Sequence, residues 1–503
     1  MPPLLNNWFL VNIFDWWIYN QMCSNTQNKY NNSTIGKYIF INGICNKSTQ
    51  TKCNDFIRIN VMLATVLKIS AHKKVMAIAL PLILSNLTAP LLGLVDTAVI
   101  GHLGEAKFLA SITAGAWIFS FLYGNFIFLR MGTTGLAAQS FGSKNYDELV
   151  NIVVRSLIIG LCFGILILLI RDSIMPLVNP LLNLSDEVSE HASLYISIRA
   201  LSAPAALMNF GVTGWLIAMQ KTKVVLFLAF VVNGLNAILD VIFVNVFDMG
   251  VSGVATGTLI SEWIACLIGL AVVFSTIKKI NSEITLSSIF NKSSFGLLFN
   301  INVDIFLRTL CLTLSHLWFI NRSSTIGDLQ LAVNGVLLNF HVFAAFFIDG
   351  FAFTAETLVG ESKGARDFKM FREYVITSSF WCLLVGAFCS LIFLGLGSNI
   401  VELLTDIDAV NQHSGPYLIW VVILPVIAAV SYQLDGIFLG ATQTSAMRNG
   451  MFISLLVLVG TSFYLVSNFG NHGLWGSFVL FMLARCITLG LKYRNLEKTI
   501  VGD

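Results

Sequence analysis

The chain has 503 residues, 56% of them apolar and only 11% charged, with a formal net charge of +3. Soluble domains carry about 25% charged residues, so this composition excludes a soluble globular protein. The net charge says little by itself, and the basic residues suit anionic membrane lipid rather than nucleic acid.

Residues 1–60 contain twelve Asn, three Cys and two acids, Asp15 and Asp55. The run from Leu10 to Tyr19 is too short to span a bilayer and is interrupted by Asn12 and Asp15. Arg is nearly absent and Ser is sparse, which argues against a transit peptide. Residues 1–61 are therefore read as a disordered or non-native extension, with Met62 as the natural start.

From residue 76 the pattern changes. A helix needs about 20 apolar residues to cross the bilayer core. Twelve runs qualify: 76–100, 108–131, 149–170, 193–217, 224–246, 252–276, 299–320, 329–355, 375–398, 413–438, 450–467 and 473–491. The apolar residues are continuous rather than alternating, which disfavours barrel strands. Helices also satisfy their own backbone groups in lipid. With residues 62–75 inside, the cytoplasmic segments hold eighteen Lys and Arg, and the opposite loops only Lys107, Arg171 and Arg322. That bias places both ends of the bundle in the cytoplasm, where the basic residues suit anionic lipid.

Short motifs recur between the two halves of this array. Gln139-Ser140-Phe141-Gly142-Ser143-Lys144-Asn145 lines up with Glu361-Ser362-Lys363-Gly364-Ala365-Arg366-Asp367, 222 positions later. Tyr195 lines up with Tyr417, and Gly214 with Gly436, at the same offset. The expected fold is all-α: twelve transmembrane helices in two pseudo-symmetric six-helix lobes, residues 62–283 and 284–503. Such repeats commonly frame a central pathway.

Seven acids fall in or beside the spans: Asp96, Asp240, Glu262, Asp304, Asp349, Glu356 and Asp435. So do Arg130, Arg199, Arg308 and Arg485. A charge at the bilayer centre costs about 2.5–3.5 kcal/mol on insertion scales, so each is expected to face protein or a water-filled cavity. Asn236 precedes Asp240 by four residues, which puts both on one helix face. Withdrawal from water disfavours the charged form of a carboxyl. Asp96 and Asp240 are thus candidates to take up an ion on one side and release it on the other, biasing a helix between two packings. The plainer role for both is a hydrogen bond between helices. Pro90, six residues before Asp96, offers a bend in the same helix.

The remaining charges invite plainer readings. Asp304 and Arg308 are spaced for an intrahelical ion pair. Glu356 stands near enough to the cytoplasm to be solvated. Arg130 and Arg485 lie near cytoplasmic ends and can snorkel, and Arg199 lies near an outer end. His316 and His341 read as packing residues, and His102 as a solvated turn residue. Pro204 and Pro425, 221 apart, are read either as paired bends or as ordinary curvature. The nine cysteines show no paired or metal-ligand spacing.

The motifs are long and numerous. The first span carries Pro90-Leu91-Leu92-Gly93-Leu94-Val95-Asp96-Thr97-Ala98-Val99-Ile100-Gly101-His102-Leu103, followed by Arg130-Met131-Gly132-Thr133-Thr134-Gly135. Later come Asn233-Gly234-Leu235-Asn236-Ala237-Ile238-Leu239-Asp240 and Leu434-Asp435-Gly436-Ile437-Phe438-Leu439-Gly440-Ala441. Over residues 76–495 this closely resembles the MATE (multidrug and toxic compound extrusion) family, in its DinF-like branch. The resemblance implies two lobes forming a V with the substrate pathway between them. It implies a proton- or sodium-linked site at Asp96 and Asp240, with Asn236 and Thr258 lining the same cavity. It also implies a second cation site in the other lobe at Asp435, with Asp304 near the position of a further family acid.

The expected function is a secondary antiporter. It exports amphipathic or cationic organic compounds in exchange for protons, or sodium, by alternating access. No phosphate-binding loop is present, so the energy source is an ion gradient and no cofactor is expected. Neither a nucleophile–base pair nor a metal set is seen, so no enzyme is expected. The alternative is a lipid-linked precursor flippase of the same superfamily, whose central cavity is usually strongly cationic. A monomer in contact with membrane lipid is expected, in a bacterial inner membrane, with a plastid envelope as the alternative.

Overall fold

The computed structural model describes residues 68–101, 106–182, 184–280 and 285–501, the side chains of residues 94–101, 106, 181, 182 and 501 excepted. The 1–61 extension, Met62, His102 and the side chain of Asp96 lie outside the described residues. Among them, eleven helical runs are long and apolar enough to cross a membrane.

The first half comprises Ile69–Gly101, then Ala106–Asn125 continued by Phe128–Gly142, then Tyr146–Leu182. The fourth span is Asp186–Arg199, one 3-10 turn at Ala200–Ser202, and Ala203–Ala218. Thr222–Asn245 and Gly250–Ile280 complete this half. After a short linker helix, Leu286–Ile289, the second half runs Lys292–Ile326, Asp328–Gly364 and Phe368–Leu404. Its tenth span is Asp408–Ser414, the turn Gly415–Tyr417, and Leu418–Gly440. The last run, Thr444–Val501, has 58 residues. At 1.5 Å per residue that would be about 87 Å of straight helix, nearly three bilayer cores. It breaks at Gly470 (φ 55°, ψ −132°), so it makes two spans and the total is the expected twelve.

Duplication is written into the backbone. Among the described residues, five non-glycine positions have positive φ: Lys144, Gln220, Asp248, Arg366 and Thr442. Lys144 and Arg366 are 222 apart, Gln220 and Thr442 are 222 apart, and Asp248 is 222 from Gly470. The first four close helices in one way. The N–H of Lys144 donates to Phe141 O and that of Asn145 to Ser140 O, while Arg366 and Asp367 repeat the pattern on Lys363 O and Ser362 O. This is the Schellman closure, which needs one left-handed residue past the helix end. The loops at 142–145 and 364–367 are therefore helix caps.

Within the first half, the fifth span packs on the first and sixth, and the fourth on the second and third. Within the second half, the eighth packs on the ninth and tenth, and the seventh on the final run. The halves meet chiefly through the eighth span, which lies against the first and second. The linker helix is pinned to the third span by Arg155, which donates to Ile289 O at 2.7 Å and Ser288 O at 2.6 Å.

At the capped end the halves touch reciprocally. A Cβ on Gly142 would sit 2.0 Å from Glu361 O, and a Cβ on Gly364 would sit 1.9 Å from Gln139 O. Glycine is required at both positions, because the obstacle is backbone. The polar contacts follow the same exchange: Gln139 Nε2 donates to Thr442 Oγ1 at 3.1 Å, and Gln220 Nε2 to Glu361 Oε2 at 2.8 Å. Residue i meeting j while the image of j meets the image of i is the signature of a two-fold contact. Lys74 adds an ion pair to Glu361 at 2.8 Å.

Candidate functional site

Two of the polar clusters that interrupt the apolar bundle bear on the expected site. The first lies in the N-terminal half, between the fifth and sixth spans. Asp240 and Asn236 are buried, one helical turn apart on the fifth span. Asn236 Nδ2 donates to Asp240 Oδ1 at 2.9 Å and to Thr258 Oγ1, on the sixth span, at 3.2 Å. The Thr258 hydroxyl donates to Val254 O at 3.0 Å. The carboxylate of Asp240 lies against a bare glycine of the sixth span: a Cβ on Gly257 would lie 2.2 Å from Asp240 Oδ1. Sequence reasoning missed Gly257, since nothing local marks a glycine on one span as the seat of a carboxylate on another. Asn233, on the same span, donates to Thr88 Oγ1 of the first span at 2.6 Å. Pro90 is solvent- or lipid-exposed, and the first helix continues through it to Gly101.

Nearby, Arg199 pairs with Glu262 at 3.3 Å and stacks over the rings of Phe119 and Tyr123. The expectation of paired proline bends meets an asymmetry. Pro204 sits in the first turn of Ala203–Ala218, where no backbone donor is lost. Pro425 sits inside Leu418–Gly440.

The second cluster borders a cavity of about 240 Å³ between the halves. Gly124, Ile127 and Met131 line it from the second span, and Arg308 and Thr309 from the seventh. The eighth span contributes Asp349, Phe353 and Glu356, and the tenth Tyr432 and Asp435. One oxygen of Asp435 accepts from Arg308, and from Arg485 at 2.7 Å, with all three side chains buried. Arg485 also lies over the Tyr432 ring, whose hydroxyl meets His341 Nε2 at 3.2 Å. Arg130 approaches from the other half, its guanidinium 4.0 Å above the ring of Phe353.

Four sequence expectations are corrected here. Asp304 and Arg308 do not pair with each other. Asp304 binds Arg448 at 2.6 Å and accepts from Thr444 Oγ1 at 2.9 Å, while Arg308 turns to Asp435. Arg485 is 1% exposed and Arg130 6%, so neither snorkels. Glu356 is 0% exposed rather than solvated. Arg130, Arg485 and Glu356 share one physical reason: the helices continue past the ends of their apolar runs, to Gly142, Gly364 and Val501, so a residue near a hydropathy boundary is not near a helix end. Asp304 and Arg308 instead take the partners that neighbouring helices present.

With this geometry in view, the comparisons decide the lineage. The MatE family model matches the chain twice, over residues 81–242 and 305–464. The chain belongs to the MATE family. The DNA damage-inducible protein F of Escherichia coli (strain K12) is 38% identical over 426 residues, covering 85% of this chain and 93% of that protein. The multidrug export protein MepA of Staphylococcus aureus (strain N315) is 22% identical over 421 residues, covering 82% of this chain and 91% of that protein. A solved structure, the outward-facing conformation of a multidrug resistance MATE family transporter of the MOP superfamily, superposes with a TM-score of 0.77. It is 19% identical, covers 85% of this chain and 96% of that one, and shows the same fold. The two matched stretches of the MatE model coincide with the duplicated halves, and this MATE chain is a multi-pass efflux transporter.

Proposed function

We propose that this MATE transporter is a secondary antiporter that exports amphipathic or cationic organic compounds in exchange for protons, or sodium, by alternating access, and that it catalyses no covalent reaction. The observation that carries the reading is Asp240, a fully buried carboxylate held by Asn236 inside an apolar bundle. A small cation can be captured there at low cost, because burial disfavours the bare charge. Asp96, Asn236, Asp240 and Thr258 form the coupling site. Asp435 and Asp304 stand as second-lobe candidates, but each already has an arginine partner that an incoming cation would have to displace.

The reciprocal contact at Gly142 and Gly364 acts as the seal of one state. The cavity beyond it falls just short of the roughly 300 Å³ at which ligand pockets begin, so a drug-sized substrate requires the halves to part further. The three arginines in and beside it, Arg130, Arg308 and Arg485, are matched in number by Asp349, Glu356 and Asp435, unlike the strongly cationic cavity of a precursor flippase. We place the protein as a monomer in contact with membrane lipid, in a bacterial inner membrane, with both ends in the cytoplasm.

The test is dye efflux from energised vesicles, with pH and sodium gradients imposed separately. Asp240→Asn keeps the shape and loses the titratable group, so coupled efflux is expected to vanish while the protein still inserts. Efflux at the wild-type rate in that variant refutes the coupling site. Efflux that follows only one gradient names the ion.

A further inference from the structure

A separate pocket of about 230 Å³ opens in the second half, at the capped end. It lies between the turn that follows the tenth span and the far end of the last run. Gln443, Ser445 and Asn449 line one side, and Lys492, Asn495 and Thr499 the other. The last three follow at helical spacing, so they share one face. The lining holds one lysine and no carboxylate. Two acids border its walls, and each is already engaged: Asp304 with Arg448 at 2.6 Å, and Glu497 with Arg372 at 3.2 Å. The side chains of Gln443, Ser445, Lys492 and Asn495 make no hydrogen bond or ion pair to other described residues. At the 222 offset, Leu270, Val273 and Ile277 stand where Lys492, Asn495 and Thr499 do, so the duplicated backbone does not demand polar residues here.

We propose that this pocket binds a phosphate group presented at the cytoplasmic face, and that the bound phosphate steadies the contact between the halves. Lys492 supplies a point charge, and the amides of Gln443, Asn449 and Asn495 and the hydroxyl of Ser445 supply neutral donors. A phosphate has oxygens enough to meet several of them at once, with the lysine bond charge-assisted. The space suits a headgroup and not a drug-sized body. Outside it, on the membrane side, Phe452, Ile453, Ile487 and Leu491 are exposed, so an acyl chain has apolar surface to follow. Basic pockets between helices on the cytoplasmic side take anionic headgroups in this way. A soluble phosphate ester offers the same group. The link to the other half runs through one turn. Gly440 O and Thr442 Oγ1 accept from Gln139 of the first half at 2.8 and 3.1 Å, and Gln443 follows directly. Lys363 donates to Ala441 O in the same turn at 2.5 Å. A ligand held by Gln443 restrains the groups that Gln139 grips, and so favours the state closed at this end. This step rests on the reading of that contact as a seal.

The experiment uses the full-length protein in non-ionic detergent, with bound ligand counted by native mass spectrometry. The probes are dioctanoyl phosphatidylglycerol and sn-glycerol 3-phosphate. The wild type is expected to hold its first ligand about tenfold tighter than the double variant Lys492→Gln, Gln443→Leu, the factor that a charge-assisted hydrogen bond contributes. Lys498→Gln removes an exposed charge outside the pocket and is expected to bind as the wild type does. Tighter binding of the lipid assigns the phosphate to the membrane, and equal binding of both probes assigns it to soluble esters; either result upholds the proposal. Binding of neither probe, wild-type affinity in the double variant, or an equal loss in Lys498→Gln overturns it. The effect on the seal is read in phosphatidylcholine vesicles, with the probe present or absent. Met131→Cys in a cysteine-free background is labelled by an impermeant maleimide added from the capped side. The probe is expected to slow labelling severalfold, and to have no effect once the double variant is added. An unchanged rate overturns the link to the seal. Gradient-driven dye efflux is measured on the same vesicles: its absence sinks the export reading and leaves the binding result standing.

Discussion

The two halves share a backbone and differ in where they keep their charge. Offsets of 222 relate their left-handed turn residues and their reciprocal glycine contact. At that same offset Glu356 corresponds to Thr134, Asp435 to Thr213 and Arg485 to Trp263. In the other direction, Asp240 corresponds to Ser462 and Asn236 to Leu458. Duplication thus preserved what geometry demands, the caps and the close approach, and each half then acquired its own polar cluster. The N-terminal cluster is a carboxylate–amide–hydroxyl group; the C-terminal one is a set of ion pairs facing a cavity. The first suits capture of a small ion, the second suits holding structure and ligand.

That contrast can be broken at several points. The largest effect is expected at Asp435. Replacing it with Asn leaves Arg308 and Arg485 buried without their carboxylate, and breaking a buried pair costs about 3–5 kcal/mol. Thermal denaturation in detergent should show a loss of many degrees, and the triple change Arg308→Met, Asp435→Leu, Arg485→Met should recover most of it. A stable single variant would mean that the cluster is not structural. Asp240→Asn is expected to do the reverse, with efflux falling to the empty-vesicle rate and little change in melting.

Next comes the seal. Gly142→Ala and Gly364→Ala each push a methyl into backbone of the other half, and overpacking costs about 1–3 kcal/mol. Both should shift the protein toward the state open at that end by similar amounts. The labelling rate of Met131→Cys, in a cysteine-free background, with a maleimide added from that side, reports the shift. Unequal responses would show that the two-fold contact does not bear the seal symmetrically. The smallest effect belongs to Lys74→Met, which removes a partly exposed ion pair to Glu361. Such pairs are worth about 1 kcal/mol or less, so the same labelling rate should rise no more than severalfold.

The sequence by itself determined the membrane class, the twelve spans, the duplication and the family. Those depend on apolar run length and motif spacing, which are local properties of the chain. It also placed Asn236 and Asp240 on one helix face, where they do bond; the same spacing did not pair Asp304 with Arg308, because each found a partner on another helix. The seat of Asp240 on Gly257, the engagement of Arg308 and Arg485 with one carboxylate, and the facing of Arg130 and Glu356 were decided by the tertiary structure alone. Arg308 stands 127 positions from Asp435, and Asp304 is 144 from Arg448. Partners so far apart are chosen by the rotation and register of packed helices. A charge buried in a bundle pairs with whichever opposite charge that packing presents, and no window along the chain contains that information.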